Sequence, residues 1–162
     1  MDDITSLFIT QLGQNTRIYE DLLSNIPEAQ MKVRRLSEKW SIHEHACHMA
    51  EVEHLMHDRF LTIKNVEYPV FQPFHQGKIR PEEELMGMDL KRSMKKFKSE
   101  RNKTIALLNT FEESDWKKEA THPEYKYYNA KILLRHLIMH DNFHMYRMEE
   151  LWLTTDDYLQ KA

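Results

Sequence analysis

Apolar residues recur at three- and four-residue steps along four stretches of this chain. In the first, Ile4, Leu7, Phe8, Leu12, Ile18, Tyr19, Leu22 and Leu23 give one apolar face to a helix over Ile4–Leu23. Ser24-Asn25-Ile26-Pro27 ends it, and a short helical turn is expected after Pro27 within the mixed, charged segment 25–40. The second helix opens at Ser41-Ile42-His43-Glu44, a capping box with Trp40 placed as a staple residue. Ile42, Met49, Val52, Leu55, Met56, Phe60 and Ile63 carry its apolar face to Lys64. Residues 65–80 hold Pro69, Pro73 and Gly77 and form the longest irregular connection, with Tyr68, Phe71 and Phe74 expected to pack over the helices.

The third helix is expected to start at Pro81-Glu82-Glu83-Glu84 and to run to residue 111, carried by Leu85, Met88, Leu90, Met94, Phe97, Ile105, Leu108 and Phe111. A short turn follows at Ser114-Asp115-Trp116. Asn129 caps the fourth helix, from Ala130 to Trp152, and the tail 154–162 is expected to be partly helical. Strand-like alternation and internal repeats are missing from the sequence. Four amphipathic helices with a long connection between the second and third describe an all-α, single-domain four-helix bundle over residues 1–162.

Composition narrows the function classes. With 41% hydrophobic and 30% charged residues the chain reads as soluble and globular, and three glycines and five prolines leave room for long helices. A formal net charge of −3 gives no basic field for nucleic acid. The start, Met1-Asp2-Asp3-Ile4, lacks a basic region ahead of an apolar one, and no apolar run is long enough to span a bilayer, so no membrane role and a cytoplasmic location are expected. A single cysteine, Cys47, fits a reducing compartment.

Ten histidines in 162 residues are the compositional oddity. Three of them, His136, His140 and His144, stand at successive four-residue steps on the fourth helix, beside the face of Leu133, Leu137, Met148 and Leu151. An imidazole turned inward needs a partner, and a divalent ion is one. His48 lies next to Val52 and Leu55 and is the best candidate outside the fourth helix to reach the same site. His45 falls on the apolar half too, deeper in the stripe, whereas His43, His54 and His57 fall off it and read as solvated. Three neutral imidazoles with one open position suit a catalytic divalent ion. Glu51 and Asp141 are candidate partners for the ligand rings, and His136 is read as a structural or supporting residue. The bland reading is that inward histidines are hydrogen-bonded core residues.

Other chemistries fit less well. His43-Glu44-His45-Ala46-Cys47 lacks the second histidine of a His-Glu-x-x-His zinc motif. Glu51-Val52-Glu53-His54 supplies one Glu-x-x-His where a di-iron bundle needs two. Cys47 reads as a packing residue, and the strip from Lys91-Arg92 through Lys98 and Arg101 reads as a solvated basic face.

Two pieces, Lys39-Trp40-Ser41-Ile42-His43-Glu44-His45-Ala46-Cys47-His48-Met49-Ala50-Glu51 and His136-Leu137-Ile138-Met139-His140-Asp141-Asn142-Phe143-His144, resemble the DinB-like (DinB/YfiT) superfamily of four-helix metalloproteins. There a Trp-Ser-Ile-like helix start is followed six residues on by a metal-binding histidine, and a late His-x-x-x-His supplies two more. Carried over, the resemblance implies a metal triad of His48, His140 and His144, with zinc or nickel as the ion. It departs where the family often has a Gly-Gln pair after the last ligand: Tyr146-Arg147 stands there instead, and Arg147 is placed to meet an anionic substrate group or a bundle glutamate. The resemblance further implies a small-molecule substrate, a low-molecular-weight thiol as cofactor in the transferases and isomerases of the group, metal-dependent hydrolases beside them, and frequent homodimers. A non-catalytic metal-binding or stress-response bundle is the remaining class.

Overall fold

The computed structural model describes residues 2–73 and 82–160. Among them are eight helices: α1 (Asp3–Asn25), α2 (Glu28–Met31), α3 (Ile42–Asn65), α4 (Glu82–Gly87), α5 (Leu90–Leu108), α6 (Glu113–Lys117), α7 (Ala130–Leu153) and α8 (Asp156–Leu159). The four long ones, α1, α3, α5 and α7, make the bundle. Their packing runs α1 to α5, α5 to α3, α3 to α7 and α7 back to α1. Consecutive long helices α1 and α3 therefore sit across the bundle from each other, as do α5 and α7. Connections that cross a bundle end must be long, which is why 26–41 and 109–129 are irregular segments carrying α2 and α6. No strand forms among the described residues; isolated bridges tie Val70 to Thr121 and Glu119 to Asn129.

Local chemistry sets the helix ends. Ser41 Oγ accepts from the Glu44 N–H, while the Glu44 carboxylate accepts from both Ser41 N, at 2.9 Å, and Ser41 Oγ, at 2.8 Å. The expected box is realised, and Arg34 reinforces it through an ion pair with Glu44. Asn129 caps α7 by accepting from Ile132 N. Replacing Ser41 with alanine should lower stability by about 1 kcal/mol, as lost N-caps do, read as a shift in urea midpoint at constant slope.

The third helix differs from expectation. It breaks at Gly87-Met88-Asp89, because glycine weakens the helix and the Asp89 carboxylate caps a new start by accepting from Arg92 N. Pro81, Phe74, His75 and Gly77 lie outside the described residues. In the described part of that connection, Phe71 is buried edge-on against Tyr128, whereas Tyr68 is exposed.

The core lies in two halves. One gathers Tyr19, Leu22, Met49, Phe97, Met145 and Met148; the other gathers Leu12, Phe60, Ile63, Leu108, Leu134 and Leu137. Between them each long helix contributes one polar residue: Asn15, Glu53, Arg101 and Asp141. Arg101 is wholly buried and reaches the Glu53 carboxylate at 2.7 and 2.9 Å and the Asp141 carboxylate at 2.8 and 3.1 Å. Asn15 donates to Asp141, and the Leu12 carbonyl accepts from Arg101. The expectation that Arg101 belongs to a solvated basic strip is thus overturned: two buried carboxylates hold its guanidinium in the core, over the Phe97 ring.

Candidate metal centre

Helix spacing builds the centre on the two facing helices α3 and α7. His45 and His48 are one turn apart on α3, and His140 and His144 one turn apart on α7. The packing of α3 on α7 brings one nitrogen each of His48, His140 and His144 to within 4.8 Å of one another. His48 and His140 face each other Nε2 to Nε2 at 3.1 Å. The rings of His140 and His144 have centroids 4.4 Å apart, and those of His48 and His144 4.7 Å.

Burial decides the protonation of this group. Desolvation pushes His48 down to about 3, with the nearby His140 and His45 adding to the effect. It likewise depresses His140 and His144 below the usual imidazole range. All three rings are therefore neutral near pH 7, with lone pairs crowded into one small volume. His140 Nδ1 is buried and meets no hydrogen-bond partner among the described residues. Converging neutral imidazole nitrogens without a carboxylate between them fit a divalent ion, which can take the place of a proton shared between two rings. Trp40 roofs the group: its ring lies 4.9 Å from His48 and stacks at 6.0 Å on His144. The same ring also stands against His45, at the fourth helical position where a staple residue makes its contact.

The other expected site residues sit as follows. Asp141 turns away from the imidazoles to Arg101 and Asn15 in the core. Glu51 takes the Lys96 ammonium at 2.8 Å. His136 packs against Tyr125 and Tyr128, a turn beyond the cluster. Arg147 pairs with Glu150 on its own helix, the glutamate option of the two expected. His43 is buried rather than solvated and lies 3.6 Å from the Cys47 thiol, which burial raises above its ordinary pKa, as suits a packing residue. His54 is exposed, as expected, between Asp58 and Glu100.

One residue of the centre was read only as a deep member of the apolar stripe. His45 is buried, and its Nδ1 lies 2.8 Å from Nδ1 of His144. The available signal was its i, i+3 relation to His48, which puts both on one helix face.

Among solved structures, YfiT from Bacillus subtilis, described as a probable metal-dependent hydrolase with an unusual four-helix bundle topology, is similar at 16% identity and a TM-score of 0.82. The match covers 93% of this chain and 87% of that one. The mycothiol-dependent maleylpyruvate isomerase is similar at 12% identity and a TM-score of 0.73; 89% of this chain covers 60% of that one. At these identities the likeness establishes the shared fold. No curated protein matches the chain in sequence. The DinB superfamily pattern matches residues 11–148. With that match spanning most of its length and the bundle fold to go with it, this chain belongs to the DinB superfamily.

Proposed function

We propose that the protein is a metal-dependent enzyme in which His48, His140 and His144 hold one divalent ion, zinc or nickel. The observation that carries this reading is the convergence within 4.8 Å of three neutral imidazole nitrogens, those of buried His48 and His144 and half-buried His140. A divalent ion held there supplies Lewis acidity, which shifts a thiol or a water toward its anion near neutral pH. The chain's own part is to keep the rings unprotonated by burial and to shield one side of the group with the Trp40 indole.

Asp141 and Glu150 are each engaged by an arginine, so neither carboxylate is held ready as a general base. That favours a nucleophile that needs no base at the moment of attack, namely the sulfur of a small thiol attacking an electrophilic carbon. Similarity to a mycothiol-dependent isomerase supports the same reading. A hydrolase is the second reading, favoured by the fuller structural overlap with YfiT. Turnover that requires added thiol supports the first, and turnover with water alone supports the second.

The ligand set has its own test, elemental analysis of untagged protein. Wild type should carry about one equivalent of zinc or nickel, lost in both His48→Ala and His140→Ala while helical circular dichroism persists. A folded wild type that takes up neither metal near neutral pH would leave the imidazoles as core residues and the bundle as a non-catalytic module.

A further inference from the structure

The contact between His45 and His144 joins two like atoms, Nδ1 to Nδ1 at 2.8 Å, so a single proton lies between them. Its position has two settings with different consequences. If His45 carries it, neutral His144 holds its one ring proton on Nε2, and its lone pair, on Nδ1, is taken by His45 and not available to the centre. If His144 carries it, His144 Nε2 is bare and can join the nitrogens of His48 and His140. With Nδ1 engaged by His45, Nε2 is the nitrogen that His144 has left for the centre.

We infer that His45 is the positioning residue of the centre: it accepts the Nδ1–H of His144 and holds that ring in the tautomer whose Nε2 is free to bind. The inference rests on the ligand role proposed for His144. Imidazole ligands commonly donate their second N–H to a neighbour, which fixes both tautomer and ring plane. Carboxylates usually take that part. Here Asp141 is committed to Arg101, and a neutral imidazole from the facing helix replaces it. His45 is held for the task at both ends. It is buried on the first turns of α3, its backbone N–H donates to the Ser41 carbonyl at 3.1 Å, and its ring stands T-shaped against Trp40 at 5.2 Å. The capping box that starts α3 therefore also sets the height at which the acceptor meets His144.

The test uses full-length protein with zinc and two variants. His45→Asn keeps an acceptor near the position of Nδ1; His45→Leu removes it at similar bulk. Long-range proton–nitrogen spectra of the histidine rings, assigned with His144→Ala, should show His144 protonated on Nδ1 in the metal-free wild type and in the zinc form. In the zinc form that proton should be protected from exchange in wild type and in His45→Asn, and exchange freely in His45→Leu. Chelator competition should show zinc bound roughly 10- to 100-fold more weakly by His45→Leu, within a few-fold of wild type by His45→Asn, and still at one equivalent at saturation. A merely structural histidine would leave the exchange of that proton unmoved and give no rescue by asparagine. Protonation of His144 on Nε2 in metal-free protein, or equal zinc affinity in His45→Leu and wild type, overturns the inference. If wild type binds no zinc at all, the ligand reading fails, while the tautomer in the metal-free protein still decides the role of His45.

Discussion

Replacing Arg101 with alanine should destabilise the bundle by about 3–5 kcal/mol, the largest effect expected of any single substitution here, because it strands buried carboxylates without a counter-charge. Both Glu53 and Asp141 depend on the one guanidinium, and all three side chains are essentially inaccessible. For a domain whose total stability is of order 5–15 kcal/mol, that loss is a substantial share of the total. Urea titration followed by circular dichroism measures it. Arg101→Lys should recover little, since one ammonium cannot make the paired contacts that the guanidinium makes with two carboxylates. The informative control removes the whole layer. Arg101→Met combined with Glu53→Leu and Asp141→Leu should be far less harmful than Arg101→Ala, since buried ion pairs often contribute little net stability over apolar residues of similar size. A single variant as stable as wild type would show that the carboxylates find other compensation. If the triple variant is stable but loses register, the layer's contribution is specificity: one polar residue per helix at a single level allows only one vertical alignment of four helices.

Acid lability of the metal-free protein is the second large effect. His45 is pushed down to about 4 and His48 to about 3, chiefly by burial, whereas an unfolded histidine titrates near 6.5. Below pH 6.5 the unfolded chain therefore takes up protons that the folded chain refuses. The associated stability is fully present above 6.5 and falls as the pH drops toward the folded values. Each such histidine contributes up to ~1.4 kcal/mol per pH unit, so these two alone remove roughly 5 kcal/mol by pH 4.5. His140 and His144 shift in the same direction and steepen the loss. The window distinguishes this cause from ordinary acid unfolding: carboxylates held low by their partners, such as Glu44 and Glu100, lose their contribution only as the pH falls through the carboxylate range. Circular dichroism of the metal-free protein should show unfolding between pH 6.5 and 4.5, and a His45→Leu, His48→Leu double variant should shift it to lower pH. Bound zinc should stabilise the protein above this window and leave as the protein unfolds. A urea-derived stability that stays flat down to pH 4.5 would mean that the rings are not held neutral in the folded state.

Periodicity made the four long helices legible, and short polar motifs made their starts legible. Ser41 with Glu44, and Asn129 ahead of Ala130, cap where the sequence places them, because capping depends on atoms within one helical turn. The inward faces of His140 and His144 were legible from their four-residue spacing, and that of His48 from its place beside Val52 and Leu55, because helix geometry fixes a face before any packing is known; the choice of these three as a set came from the family resemblance. The break at Gly87–Asp89 was legible in its residues but hidden by the apolar spacing that continues across it.

What the sequence could not decide is which polar residues meet between helices. Arg101 sits in a run of lysines and acids that reads as solvated, and only the packing of α5 against α1 and α3, with α7 across the bundle, turns it onto Glu53 and Asp141. The same packing took Asp141 away from the histidines and gave His144 an imidazole partner from α3, residues 99 positions apart along the chain. Helix faces follow from the periodicity of a single segment. Partners across the bundle follow from how four segments are arranged around one core, and that arrangement is a property of the tertiary structure.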